Sequence, residues 1–214
     1  VDWLFELKKT LSQIELKNKI PILVGGSGLY INAVINGLVN IPLISETIKN
    51  QSLIKFNEVG IEKFRQINFQ IDPRYMQNNN DKHRLLRAYG IFLQTKKNIS
   101  FWYKQPRVKT VNKNIYSFFI TSERKSIYKK CEIRFEDMLA KGAIDEVKKL
   151  HNSNIDRSLP ISKSLGVKWL LSYLDNNISY EEAVKLSKRD TRRYVKRQFT
   201  WFTHNYIPYK TINL

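Results

Sequence analysis

The chain has 214 residues and a formal net charge of +18, from 37 Lys+Arg against 19 Asp+Glu. Such a length allows one good core, or one core with a small appended unit. A single cysteine, Cys131, excludes an internal disulfide. No apolar run approaches the ~20 residues that a membrane span requires, and no signal peptide is expected at the start. Excess cation concerns partners rather than fold. Nucleic acid, a membrane surface and the Lys-rich composition of an AT-rich genome all fit it at this point. His83, His151 and His204 show no metal-ligand spacing, so no protein-held metal site is expected, and a cytoplasmic location is the default.

Asp2 is placed to cap a helix to about Asn18, with Trp3, Leu4, Leu7, Leu11 and Ile14 on one face. Ile20 to Val24 is apolar throughout, the pattern of a strand buried in a parallel sheet. Gly25-Gly26-Ser27-Gly28 then turns the chain, and a helix is expected to end at Gly37. Strand, glycine turn and helix in that order suit a site at the C-terminal edge of a strand. From about Asn40 to Val108 glycine is scarce and charged residues are dense. Helices are expected at Ser45 to Phe56, Ile61 to Phe69 and, most clearly, Asp81 to Thr95. Ile115 to Ile120 again has the pattern of a buried strand. Thr121 or Ser122 should cap a helix to Lys141, with a seam of Ile127, Cys131, Phe135 and Met138 that makes the cysteine a buried structural thiol. A short helix follows through Leu150, and Pro160 opens another segment toward Leu174. Ser179 and Glu182 form a capping-box pattern ahead of a basic helix, and a last strand is expected at Tyr209 to Leu214. The expected organisation is an α/β core from residues 1–39 and 109–214, interrupted by a helical insertion at 40–108. About three apolar strands make too small a parallel sheet to cover itself, which suggests that further α/β elements precede Val1.

Four segments carry the chemistry. Gly25 to Tyr30 places a hydroxyl and backbone N–H groups at a helix start, where a phosphate is at home, although glycine turns are also common connectors. No Gly-Lys-Ser/Thr of a Walker A loop occurs in the chain. Arg84 and Arg87, three apart after Asn80-Asp81, share a helix face; they suit phosphates or bases, and equally a solvated surface. Arg124 begins a helix just after a strand, where it would hold a diphosphate or pair with a carboxylate such as Glu123. Lys185, Lys188, Arg189, Arg192, Arg193, Lys196 and Arg197 recur at helical spacing, opposite Tyr194, Val195, Phe199 and Phe202. If that stripe neutralises phosphates, log K falls with log salt by roughly 0.7–0.9 per contact.

Taken together, these segments resemble one family. Pro21-Ile22-Leu23-Val24-Gly25-Gly26-Ser27-Gly28-Leu29-Tyr30 closely resembles the P-I-L-V-G-G-T-G-L-Y motif of bacterial tRNA dimethylallyltransferases, also called tRNA isopentenyltransferases. Asn80-Asp81 with Arg84 and Arg87-Ala88 is similar to the same family. So are Arg124, Tyr128, Arg134, Met138, Gly142 and Glu146-Val147, and Thr191-Arg192 with Lys196-Arg197-Gln198 and Thr200-Trp201. The resemblance covers essentially the whole chain, in order and spacing.

The resemblance implies a P-loop-type parallel-sheet α/β core, helix-rich overall, with a helical insertion that grips a tRNA anticodon stem-loop. It implies transfer of a dimethylallyl group from dimethylallyl diphosphate, with Mg2+, to N6 of the adenosine 3′-adjacent to the anticodon, by a cytoplasmic monomer with no membrane partner. Ser27, in place of the family's Thr, would keep its hydroxyl near the reacting centre, and Arg124 would face the diphosphate. The residues implied to line the tRNA path are Ser27, Lys49 (where Arg is usual), His83, Arg84, Leu85, Leu86 and Arg87. They continue with Lys163, Ser164, Leu165, Gly166, Val167 and Lys168, and with Thr191, Arg192, Arg193, Tyr194, Val195, Lys196, Arg197 and Gln198. Val167 stands for the usual Tyr, and Tyr89-Gly90 for the usual Leu-Glu. The family's Gly-rich diphosphate loop and general-base Asp would lie upstream of Val1, so this chain by itself is expected to bind tRNA weakly without catalysing transfer. A non-catalytic RNA-binding remnant and an isopentenyltransferase of free adenylate are the alternatives.

Overall fold

The computed structural model describes residues 2–77, 79, 81–109, 111 and 114–214, with residue 2 in its backbone alone. The cap expected at Asp2 and the motif residue Asn80 lie outside what is described. Contacts divide the chain into two compact units, one of residues 1–23 and 30–113, the other of residues 24–29 and 114–214.

In the first unit, α1 (Asp2–Leu16) ends where expected, through Asn18 in the left-handed region at φ 52°. The ring of Trp3 stacks on Tyr30 of α2 (Gly28–Asn36), with centroids 4.4 Å apart. Between them, Ile20 to Val24 is no strand. It is extended chain, with Ile20 89 % exposed and Ile22 and Val24 nearly as open. A strand that is apolar on both faces forms only between paired neighbours, and no described strand pairs with this one.

The helical segment is closed at its root by one small ladder. Residues Leu38–Val39 (β1) pair antiparallel with Arg107–Val108 (β2), Leu38 opposite Val108 and Val39 opposite Arg107. Gly37 makes that closure possible. Its φ is 73°, and an added Cβ would collide with the Val108 carbonyl. A side chain there meets both a backbone penalty and a clash.

Between the two strands run α3 (Glu46–Ile71), α4 (Pro73–Met76), α5 (Lys82–Thr95) and α6 (Ile99–Tyr103). The Ser45 hydroxyl caps α3 by accepting from the Ile48 N–H. The two helices expected from the pattern are two arms of α3 that meet at Gly60, whose φ of 74° breaks the helical path. Helices α3 and α5 approach closely because Gly90 has no side chain; a Cβ there would lie 3.2 Å from Ile44 and 3.3 Å from the Ser52 hydroxyl. Phe64, Met76 and Leu85 form one buried cluster, and Ala88, Ile91 and Ile99 another. The buried Asp72 carboxylate ties α4 to α6, accepting from the Tyr75 N–H at 3.1 Å and from the N–H and hydroxyl of Ser100 at 2.8 Å each.

In the second unit, β3 (Phe118–Thr121) pairs in parallel with β4 (Lys210–Asn213), in register from Phe118 opposite Lys210 to Thr121 opposite Asn213. The strand expected to be buried on both faces is half open: Phe119 packs on Phe199 and Phe202, while Phe118 and Ile120, on the opposite face, are exposed. Helix α7 (Arg124–Ala140) follows Glu123 without a side-chain cap. The expected cap, Ser122, instead donates its hydroxyl to the Leu214 carbonyl at 2.8 Å, which fastens the end of β4. Of the expected seam, Phe135 is buried, Cys131 half-buried and Met138 exposed. Then come α8 (Ala143–Asn152), a 3-10 turn at Pro160–Lys163, α9 (Val167–Leu174) and the long α10 (Tyr180–Asn205). Ser179 caps α10 by accepting from the Glu182 N–H at 3.1 Å. Val147, Leu170, Leu171 and Ala183 form the buried cluster of this unit.

Replacing Gly37 with alanine should destabilise the first unit by about 1–3 kcal/mol, the usual cost of a strained backbone position. The expected outcome is a lower urea midpoint for this variant than for the wild-type chain. An unchanged midpoint would remove Gly37 from the closure.

Candidate functional site

Helix α10 is a cationic helix with two different sides. Lys188 pairs with Glu136 and Arg192 with Glu132, both on α7. The partners sit four residues apart on each helix, so the two pairs fall in one antiparallel register. Lys188 retains only 20 % of its side-chain exposure. Thr191 lies on the same side, buried, with its hydroxyl donating to the Ser187 carbonyl at 2.9 Å. These residues of the stripe therefore face α7. Arg193, 63 % exposed, Lys196 and Arg197 are instead open to solvent, Lys196 on the turn beyond Arg192. Tyr194 is exposed with them, and the Arg197 guanidinium lies 5.7 Å from its ring centre. Val195 is half-buried.

Asp190 organises the middle of the stripe. Its carboxylate accepts from the Trp169 indole N–H at 2.7 Å and from Arg189 at 3.2 Å, with Arg193 at 3.8 Å. Lys168 and Arg189 in turn lie 4.2 and 5.6 Å from the Trp169 ring centre. Burial pushes the Asp190 carboxyl up, but the Trp169 hydrogen bond, the Arg189 hydrogen bond and the charges of Arg189 and Arg193 outweigh it. The group is held below the usual carboxylate range.

About two turns beyond Asp190 along α10 the glycine motif is seated. The Gln198 amide donates to the Gly26 carbonyl at 2.8 Å. An added Cβ at Gly26 would collide with that amide, and one at Gly28 with the Trp201 ring. These glycines are thus needed for close approach, which fixes the half-buried Ser27 between them. The next residue on α10, Phe199, lies under the Arg124 guanidinium, with 5.3 Å to the ring centre. Phe119 stacks on Phe202 below, centroids 5.5 Å apart. Arg124 has no carboxylate in ion-pair reach among the described residues. A shallow, open depression of about 350 Å³ lies beside Lys196, Arg197, Trp201 and His204.

Other residues of the implied tRNA path differ in what they offer. Lys163, Ser164 and Leu165 are exposed. Gly166 is buried at φ 84°, with an added Cβ 2.9 Å from Phe135, and Val167 packs on the core of this unit. In the first unit, the Asp81 carboxylate caps α5 through the His83 and Arg84 N–H groups at 3.0 and 3.2 Å. His83, Arg84 and Arg87 are exposed, Leu86 is half-buried, and Leu85 is fully inside at 0 % exposure, where its side chain reaches no ligand. Lys49 is exposed and pairs with Glu46 at 2.5 Å. Sequence reasoning missed Glu132, Glu136, Trp169 and Asp190. The matching four-residue spacing of Glu132/Glu136 and Lys188/Arg192 was a signal that could have found the α7–α10 register.

The chain matches the IPP transferase family model over residues 1–205. It is 36 % identical over 206 residues to the tRNA dimethylallyltransferase of Ehrlichia ruminantium (strain Welgevonden), covering 96 % of this chain and 69 % of that one. It is 37 % identical over 214 residues to that of a Wolbachia strain from Drosophila simulans, covering 99 % and 72 %. Among solved structures, the full-length tRNA isopentenylpyrophosphate transferase of Bacillus halodurans superimposes with a TM-score of 0.63 at 29 % identity, over 99 % of this chain and 66 % of that one. A eukaryotic dimethylallyltransferase acting on tRNA gives a TM-score of 0.77 at 22 % identity, over 94 % and 51 %, and shows the fold. The architecture is the P-loop-like α/β fold of these proteins, rich in helix and with a small parallel sheet. No helix among the described residues is long and apolar enough to cross a membrane.

Because the folded state holds Asp190 ionised below its ordinary value of about 4, its stabilisation is complete above that value and is lost as pH falls through the depressed one. Asp190→Asn keeps an acceptor for the Trp169 indole and removes the charge. This variant should be less stable than wild type at neutral pH and lose less on acidification. Parallel acid profiles of thermal midpoint for the two proteins would contradict that role.

Proposed function

Since the chain belongs to the IPP transferase family, we propose that it takes part in moving a dimethylallyl group from its diphosphate to N6 of the adenosine 3′-adjacent to a tRNA anticodon. The relatives named as tRNA dimethylallyltransferases are enzymes of this kind. One observation carries the assignment of residues. Consecutive positions on α10, Gln198 and Phe199, hold the Ser27 turn and the Arg124 guanidinium. The Ser27 hydroxyl at the start of a helix and a guanidinium that meets no carboxylate among the described residues thus attach to one turn of α10.

In the reaction, the N6 lone pair forms a bond to the allylic carbon while the carbon–oxygen bond breaks. The electron pair leaves with the diphosphate, and an N6 proton passes to a base. Charge accumulates on the departing diphosphate, where a preplaced guanidinium is worth most. Arg124 is assigned that role, and its stacking on Phe199 holds it in place without a carboxylate to neutralise it. Ser27 is assigned to the polar contact beside the reacting amine. Reaching an amine inside a loop requires the base to be held out of its stack. The exposed residues Arg193, Lys196 and Arg197 supply charge for the strand that carries it. His83, Arg84 and Arg87 supply a second cationic face in the first unit.

Magnesium is part of the family expectation. Among the described residues no group of three or more His, Cys, Asp or Glu gathers to hold a metal ion. A magnesium ion carried by the diphosphate would be held mainly by phosphate and water oxygens, so the family expectation asks for no such group.

A labelled, unmodified tRNA bound to the chain should be displaced by unlabelled tRNA and not by adenylate at the same nucleotide concentration. Displacement by adenylate at low concentration would replace this reading with prenylation of the free nucleotide.

A further inference from the structure

Tyr75 stands beside the Arg84–Arg87 pair and Tyr103 beside Tyr75, and neither tyrosine belongs to any of the motifs. Tyr75 lies on α4, and Tyr103 ends α6; their ring centroids are 6.1 Å apart at 47°. Tyr75 is half-buried, while Tyr103 keeps 50 % of its surface open. Both arginines lie within electrostatic reach of the Tyr75 phenol. Burial pushes the pKa of that phenol up and Tyr103 adds to the effect, whereas Arg84 and Arg87 pull it down. One amide links the group. The Asn79 side chain accepts from Arg84 and donates to the Tyr75 carbonyl at 2.7 Å. Among the described residues neither arginine has a carboxylate in ion-pair reach.

The backbone under Tyr103 is fixed although its ring is open. Ile99 is buried, the Asn98 side chain caps α6 through the Phe101 N–H at 2.9 Å, and Ser100 bonds to Asp72. The neighbouring Trp102 does the inward packing, with its indole N–H donating to the Thr95 hydroxyl at 3.3 Å. A core-filling role for an aromatic at this end of α6 is therefore already taken. What remains is a held, half-exposed ring that adjoins Tyr75 and, through it, two guanidinium groups that meet no carboxylate among the described residues. An unstacked nucleotide needs this pairing: a π-face for its base and cations for its phosphates. A fixed tyrosine loses little conformational freedom on binding, which favours it as a contact.

We propose that Tyr103 is a base-stacking platform that works with Arg84 and Arg87, so that this face of the first unit holds one unstacked nucleotide of an RNA loop. The inference rests on the tRNA reading above and names a contact within it. Stacking on an aromatic ring is tolerant of base identity and independent of salt, whereas phosphate contacts are salt-dependent. The two contributions therefore separate in one experiment.

The test is binding of a hairpin RNA carrying 2-aminopurine in its loop, across a salt series, to wild type, Tyr103→Ala, Tyr103→Phe and Arg84→Gln. Tyr103→Ala should weaken binding about 5- to 100-fold, the range of one lost stacking contact, with the salt slope unchanged. Tyr103→Phe should bind like wild type, and both should change the 2-aminopurine fluorescence that Tyr103→Ala leaves unaltered. Arg84→Gln should flatten the slope by roughly one phosphate contact. A fully paired duplex should not distinguish Tyr103→Ala from wild type. If wild type binds the hairpin and Tyr103→Ala binds equally well, the stacking platform is overturned and the tRNA reading stands. If wild type binds no RNA at low salt, both are overturned.

Discussion

The pairing of Glu132 and Glu136 on α7 with Arg192 and Lys188 on α10 is the constraint on which the second unit depends. A helix this rich in cations packs against a neighbour only if the charge on its inner side is met there. Partly exposed ion pairs contribute about 0–1 kcal/mol each, so these two do not supply the bulk of the stability. Buried Phe135, Leu170, Leu171 and Ala183 do that. What the pairs supply is register, because two pairs four residues apart on both helices agree in one alignment and in no neighbouring one.

That register determines which cations remain for a ligand. With Lys188 and Arg192 paired to α7, Arg193, Lys196 and Arg197 are left exposed. It also delivers Gln198 to Gly26, Phe199 to Arg124 and Trp201 to Gly28. A slip of one residue would rotate all three by about 100°, since a helix turns once in 3.6 residues. The site assigned to the reacting group and the face assigned to RNA are in this way set by the same inter-helix contact. Asp190 has a related task at mid-helix, where one carboxylate orders Trp169, Arg189 and Arg193.

Local signals were well legible in the sequence. The cap at Ser179, the stop at Asn18 and the clearest helix at residues 81–95 all depend on side chains acting within a few residues of themselves. Non-local features were not. Ile20 to Val24 has the composition of a buried strand, but a strand exists only with partners, and composition does not show whether partners are present. Ser122 was a reasonable cap until the Leu214 carbonyl, far along the chain, took its hydroxyl. Gly26 and Gly28 suit a phosphate turn or a plain connector in sequence, and their need for close approach shows only with Gln198 and Trp201 in place. Leu85 and Thr191 lie within motifs that also carry exposed cations, so position in the motif did not separate the residues that hold the helix from those that face outward.

The central claim is the division of labour along α10, and the salt dependence of tRNA binding by two doubly neutralised variants tests it most directly. With Lys196→Gln and Arg197→Gln together, the log K against log salt slope should flatten by roughly 1.4–1.8, two phosphate contacts' worth, at unchanged thermal midpoint. With Lys188→Gln and Arg192→Gln together, the slope should stay at the wild-type value while the midpoint falls. Equal flattening by both variants would contradict the account, since it would mean that the inner cations meet phosphate rather than α7.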